Sequence, residues 1–144
     1  MLALQLTVRP KQAKRDFPSI VAKFLAEQRT SFEVAEGIDG KTGRWKFQFI
    51  LNHVKQETLV KALTVTSKSQ ALRYAEESVF EIRDVKEVRE TDAVVIADDE
   101  GYRREYWQPS VLRIFSGYEI PLFSFQGDRD KLTQLALKYR LKET

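Results

Sequence analysis

The 144-residue sequence has no cysteine and a single histidine, His53. The lack of cysteine excludes disulfide bonds, zinc–thiolate sites, iron–sulfur clusters and a thiol nucleophile. A lone histidine cannot build a histidine metal cluster, and a general base needs a nucleophile beside it. Neither the Gly-x-Gly-x-x-Gly pattern nor a Ser nucleophile elbow occurs. These absences favour a protein that is not an enzyme and that needs no metal and no cofactor.

Long apolar runs are also absent. No stretch approaches the ~20 apolar residues of a membrane span, and the first residues lack the basic and apolar regions of a secretory signal. We therefore expect a soluble, cytoplasmic protein with no membrane partner. Nine Phe, five Tyr and two Trp supply enough apolar area for a core, so the chain as a whole is not disordered.

The order of predicted elements is typical of an α+β fold. The length fits one domain, and we predict a single α+β domain over residues 1–144. We expect a largely antiparallel sheet with two or three helices packed on one side.

The clearest predicted element is an amphipathic helix that begins near Phe17. Asp16 precedes it as an N-cap, and Pro18 lies in its first turn. Its apolar residues recur at helical spacing: Phe17, Ile20, Val21, Phe24 and Leu25.

The other elements follow from alternation, turn residues and caps. Strands are predicted at residues 2–8, 32–36, 44–51, 59–66, 93–97, 102–107, 111–115 and 118–125. A helix is the alternative for 59–66. Two further helices are predicted, over residues 68–78 after a Ser67 cap and from Gly127 onward. Pro121 would limit its strand to a sheet edge or a bulge.

Positive charge is spread over the chain outside one acidic segment. Residues 1–75 hold 13 Lys and Arg against 6 Asp and Glu, whereas residues 76–100 hold 3 against 10. Residues 101–144 hold 8 against 5, and the net charge is +3. This pattern favours a cationic surface for a polyanion. The alternative is that the charges cover ordinary solvent faces or that the two blocks pair with each other.

One candidate site is the aromatic and cationic segment around Trp45. On a strand, Trp45, Phe47 and Phe49 would share one face, with Arg44 and Lys46 on the other. Exposed aromatics stack unpaired bases while neighbouring cations hold phosphates. The alternative is that the three aromatics form the core face beneath the first helix.

A second candidate is the basic run before the first helix: Arg9, Lys11, Lys14 and Arg15. Cations next to helix-terminal amides suit phosphate oxygens, although a solvated connection is the alternative. Together with Arg44, Trp45 and Lys46, these residues form the predicted nucleic-acid-binding site.

A third candidate is the acidic group Asp92, Asp98, Asp99 and Glu100. Carboxylates at a strand end are ligands for Mg²⁺. Asp-Asp-Glu-Gly between two strands is also ordinary turn chemistry, and we favour the turn, because no ligand set with metal-site geometry is evident.

The sequence therefore predicts a small, basic, non-enzymatic binding domain that contacts nucleic-acid backbone or single strands. The alternative is a protein–protein or homo-oligomeric module that uses the aromatic C-terminal hairpin over residues 111–125, with a homo-oligomer contact through residues 116–125. The second strand of this hairpin, residues 118–125, is apolar on both faces. An edge strand of this kind must be covered by a helix or by a second subunit.

Overall fold

The structure is a computed structural model that describes residues 15–141. Its elements in chain order are α1 (Phe17–Glu27), β1 (Phe32–Val34), β2 (Ile38–Asp39), β3 (Arg44–Trp45), β4 (Phe49–His53), β5 (Gln56–Leu63), α2 (Lys68–Lys86), β6 (Asp92–Ala97), α3 (Pro109–Ser116), β7 (Leu122–Ser124) and α4 (Arg129–Lys138). A short 3-10 helix, Gly101–Tyr106, connects β6 to α3.

The main sheet has five strands in the order β1-β4-β5-β6-β7, and β2 and β3 form a separate two-stranded ribbon. The pairs β1–β4 and β4–β5 are antiparallel, whereas β5–β6 and β6–β7 are parallel. The fold is thus α+β with a mixed sheet, which corrects the largely antiparallel prediction. The physical reason is that α2 and α3 serve as crossover helices, which parallel neighbours require.

Helices cover both faces of the main sheet, so the prediction that they pack on one side is wrong. One core cluster lies against α2 and α3, and a second lies against α1 and α4. Successive residues of β6 contribute to the two clusters in turn. Ala93, Val95 and Ala97 belong to the first cluster, and Val94 and Ile96 belong to the second. The apolar run 93–97 is buried on both faces, as is typical of a central strand.

The predicted first helix is confirmed as α1. Asp16 is its N-cap, with Oδ1 accepting a hydrogen bond from the Ser19 amide at 3.2 Å. Pro18 lies in the first turn, where a missing N–H costs nothing. The apolar stripe is buried at four positions: Phe17, Val21, Phe24 and Leu25.

The second helix begins where predicted, at the Ser67 cap, whose side chain accepts from the Gln70 amide at 3.1 Å. It extends to Lys86, well beyond the predicted end at residue 78. The apolar stripe continues through this extension, because Val79, Ile82 and Val85 are buried against the sheet.

The predicted hairpin over residues 111–125 is wrong. Pro109 opens α3 rather than ending a strand, since proline is favoured at the first helical position, and residues 111–115 are helical. Residues 102–107, also predicted as a strand, are mostly the 3-10 helix. Pro121 directly precedes β7, which is an edge strand, as expected of a residue that cannot donate to a ladder.

Both faces of β7 contact other parts of the same chain, and its residues are half-buried. Leu122 packs on the α2–α3 side, and Phe123 packs on the α1–α4 side. At the outer edge, the Ser124 amide donates to Asp128 Oδ2 at 2.7 Å, and the Asp128 amide donates to the Ser124 carbonyl. Each face of β7 thus has contacts within the chain, which weakens the argument for a homo-oligomer through residues 116–125.

The strand predicted at residues 2–8 lies outside the described residues. Within residues 15–141, no helix has the length and apolar character to cross a membrane.

Candidate functional site

The ends of the parallel strands bring together residues that are far apart in the sequence. β5, β6 and β7 end at the same edge of the sheet, next to Thr64, Asp98 and Phe125. We call the surface formed there by Arg15, Thr64, Asp98, Glu100 and the 3-10 helix the carboxyl edge. In open sheets of this kind, ligands bind outside the carboxyl ends of the strands.

Asp98 is the centre of the carboxyl edge. Its side chain is only 1% exposed. Its carboxylate accepts from Arg15 Nε at 2.5 Å and Nη2 at 3.2 Å, and from Thr64 Oγ1 at 2.8 Å. The guanidinium of Arg103 lies 3.7 Å away. The hydrogen bonds of Asp98 hold the Arg15 guanidinium at the end of β6, with Arg103 close by.

Arg15 is held from two sides. Its Nη2 also lies 2.5 Å from Glu100 Oε1, and the hydrogen bond to Asp98, aided by the charge of Glu100, raises the pKa of Arg15. The side chain stays 22% exposed. The contacts to Asp98 and Glu100 use Nε and Nη2, so the Nη1 hydrogens can bind a further acceptor.

The 3-10 helix adds cations that the sequence analysis did not place in a site. Arg103 lies over the exposed Tyr102 ring at 5.1 Å, and the side chain of Arg104 is exposed. Trp107 anchors this segment, because its indole N–H donates to the Asp98 carbonyl at 3.0 Å. Because residues 102–107 were predicted as a strand, Arg103 and Arg104 were not included in a site. Their position directly after an acidic turn was a signal that could have identified them.

The four residues of the predicted acidic group do not form one site. Asp98 and Glu100 contact Arg15, and the other two lie elsewhere. Asp99 accepts from the amides of Gln126 and Gly127 at 2.8 and 3.0 Å, which fixes the turn between β7 and α4. Asp92 lies at the start of β6, at the opposite end of the strand from Asp98. Across the described part of the chain, no group of three or more metal-ligating side chains is arranged to hold an ion.

The aromatic segment does not form a surface on which bases can stack. β3 ends at Trp45 and β4 begins only at Phe49, so the predicted continuous strand 44–51 is interrupted. Phe47 is 0% exposed in the cluster beneath α2, and Phe49 is 2% exposed in the cluster beneath α1. Both rings are buried and cannot stack on a base. Only Phe49 lies beneath the first helix, as the alternative expected, whereas Phe47 lies on the opposite face of the sheet.

The other three residues of that segment, Arg44, Trp45 and Lys46, lie on or next to the ribbon. Arg44 pairs with Asp39 at 2.8 Å on the exposed ribbon. Trp45 is half-buried, and its indole N–H donates to Asp84 Oδ2 at 2.9 Å. The side chain of Lys46 is exposed, while its backbone carbonyl accepts from the buried Lys61 amine.

Asp84 attaches the ribbon to α2. The Thr42 amide and hydroxyl donate to its carboxylate at 2.9 and 3.0 Å, and the Lys41 amide donates to its backbone carbonyl. The hydrogen bond from Trp45, followed by those from Thr42, lowers the pKa of Asp84.

The structure separates the predicted binding residues into two groups. Ser67, near the end of β5, caps α2 at the carboxyl edge, whereas Asp84 holds the ribbon near the other end of that helix. At 1.5 Å per residue, these two positions are about 25 Å apart. Arg15 is therefore remote from Arg44, Trp45 and Lys46. Arg9, Lys11 and Lys14 lie outside the described residues.

No protein-family model matches this chain, and no curated protein matches its sequence. The fold is similar to a crystal structure described as a protein of unknown function, AF1548, with a TM-score of 0.60 and 11% sequence identity. The match covers 84% of this chain and 63% of that one, so this chain spans less than two thirds of that protein. At this identity the likeness shows a shared fold and nothing about activity.

Proposed function

We propose that this protein is a small, basic, non-enzymatic binding domain that contacts the nucleic-acid backbone through its carboxyl edge. The supporting observation is the anchoring of Arg15 to the buried Asp98. This contact attaches the end of the basic run to the same edge that carries Arg103 and Arg104. Phosphates are bound well by arginines that are already oriented, because little side-chain entropy is then lost on binding.

Unlike the hypothesis drawn from the sequence, the proposal includes no stacking of bases on aromatic side chains. Phe47 and Phe49 are buried, so stacking on the segment around Trp45 is not part of the mechanism. Contacts to phosphate position a protein without reading sequence. We therefore propose weak, salt-sensitive binding that tolerates different base sequences.

The cationic residues proposed for this function come from two places in the sequence. The first set is the basic run before α1: Arg9, Lys11, Lys14 and Arg15. The second set is on the 3-10 helix, Arg103 and Arg104. Arg44, Trp45 and Lys46 are left out, because their positions on the ribbon are remote from the carboxyl edge. Cytoplasmic location and a homo-oligomer through residues 116–125 stay predictions.

The test is the affinity of a fluorescein-labelled single-stranded 20-mer at low salt, followed by fluorescence anisotropy. Two triple variants remove the same charge: Lys11→Ala/Lys14→Ala/Arg104→Ala, called the carboxyl-edge variant after the surface that it tests, and Lys41→Ala/Arg44→Ala/Lys46→Ala, called the ribbon variant. Both leave the Arg15–Asp98 contact intact.

We expect wild type and the ribbon variant to bind alike and the carboxyl-edge variant to bind at least about tenfold more weakly. Oligonucleotides of different base composition should bind with similar affinity. No binding by wild type at low salt, or equal losses in the two variants, would contradict the proposal.

A further inference from the structure

A groove with an aromatic floor and an acidic rim lies at the ribbon end of α2. It is an open groove of about 590 Å³ lined by Trp45, Glu76, Glu77, Phe80 and Glu81. We call it the Trp45–Phe80 groove. The function proposed for the carboxyl edge makes no use of this groove.

The two aromatic rings of the groove are held in a fixed relation. Phe80 is 55% exposed on α2, and its ring meets that of Trp45 edge-on with centroids 5.7 Å apart. The Trp45 ring is fixed by its hydrogen bond to Asp84 and lies directly on Gly43, where a Cβ would come within 2.6 Å of it. A large, rigid, partly exposed aromatic pair is typical of binding hot spots.

The rim of the groove carries three glutamates, and one of them is paired with a buried lysine. Glu81 is paired with the buried Lys61 at 2.6 Å. Glu77 has a long, exposed contact with Arg73 at 3.9 Å, which contributes little, and it also attracts the Lys61 amine. Glu76 is exposed. These residues begin the acidic segment 76–100, so this surface differs in sign from the rest of a basic protein.

We propose that the Trp45–Phe80 groove binds an arginine-bearing segment of a partner protein. A guanidinium stacks flat on Trp or Phe, and the same group donates in parallel to a carboxylate. The groove offers both partners within about one helical turn, since Phe80 follows Glu76 by four residues and Glu77 by three. The glutamates of the rim favour a positively charged ligand. The aromatic floor favours arginine over lysine, because a planar guanidinium stacks on aromatic rings.

The test uses fluorescein-labelled hexa-arginine with the full chain at low salt, measured by fluorescence anisotropy. The groove variants are Glu76→Gln/Glu77→Gln and Phe80→Ala, both at exposed positions where the fold tolerates change. The matched control, Glu27→Gln/Glu36→Gln, removes two exposed carboxylates elsewhere. Hexa-lysine serves as the probe for charge alone.

We expect each groove variant to bind hexa-arginine roughly fivefold to tenfold more weakly, and the control to change affinity by less than about twofold. Hexa-lysine should bind several-fold more weakly than hexa-arginine. Among the two indole N–H signals in the NMR spectrum, that of Trp45 should shift on titration and that of the buried Trp107 should not.

Three outcomes would overturn the proposal. The first is no binding of hexa-arginine by wild type. The second is equal binding of the two peptides, or an equal loss in the control, which would show charge attraction alone. The third is binding only after Arg9, Lys11 and Lys14 are changed to Ala, which would show that the groove holds this chain's own basic residues.

Discussion

Arg15 Nε lies 2.5 Å from Asp98 Oδ2, although 83 residues separate the two in the sequence. This contact joins the residue that precedes α1 to the residue that follows β6. Because Asp98 is almost fully buried, its charge requires a cationic partner. The same contact therefore supports the fold and orients a cation at the carboxyl edge.

We predict a strong energetic coupling between Arg15 and Asp98. A double-mutant cycle with Arg15→Met and Asp98→Asn should give a coupling of about 2 kcal/mol in the free energy of unfolding, because Asp98 is buried and Arg15 mostly so. Urea denaturation measures it. The exposed pair Arg44–Asp39 is the control, with an expected coupling of about 0–1 kcal/mol. Equal couplings in the two pairs would show that Asp98 is solvated.

The buried face of α1 makes a second prediction. Phe24 is buried and packs edge-on against Phe125 at 5.7 Å. Phe24→Ala should lower the free energy of unfolding by about 3–5 kcal/mol, the usual value for a core Phe. The exposed Val34→Ala should cost less than about 1 kcal/mol. A loss near zero for Phe24→Ala by chemical denaturation would show that α1 is not central to the fold.

Asp84 makes stability depend on pH. Its pKa in the folded protein is below the ordinary value of 3.8 because Trp45 and Thr42 donate to its carboxylate. A lowered carboxylate pKa contributes stability that is complete above the ordinary value and is lost as pH falls through the folded value. The advantage of wild type over Asp84→Asn should therefore be constant from about pH 7 to pH 5 and shrink below about pH 4.

Urea titrations at several pH values measure that advantage. The exposed Asp39→Asn is the control, and its difference from wild type should change less over the same range. An advantage over Asp84→Asn that is as large at about pH 3 as at pH 7 would show that the folded and unfolded pKa values are alike.

Local patterns predicted the elements whose signals agree with one another. α1 has a cap at Asp16, Pro18 in its first turn and a full apolar stripe, so nothing competed with the helix. Residues 111–115 are apolar at four of five positions, a run that a strand and a buried helix share. Pro109 at the first helical position and packing against α2 decide for the helix, and that packing is a tertiary contact.

The candidate site was less predictable than the fold. The basic run ending in Arg15 is visible in the sequence, but its partner Asp98 looked like an ordinary turn residue. Alternation placed Phe47 and Phe49 on one face, whereas a break between β3 and β4 places them on opposite faces. Such breaks and long-range ion pairs depend on the whole fold, so a local period cannot predict them.

The salt dependence of oligonucleotide binding tests the central claim most directly. Each phosphate contact on a single strand adds about 0.7 to the slope of log affinity against log salt concentration. Lys11→Ala/Lys14→Ala/Arg104→Ala should therefore reduce the slope by about 2, while Lys41→Ala/Arg44→Ala/Lys46→Ala leaves it unchanged. A slope that is the same in wild type and in the carboxyl-edge variant would contradict the account.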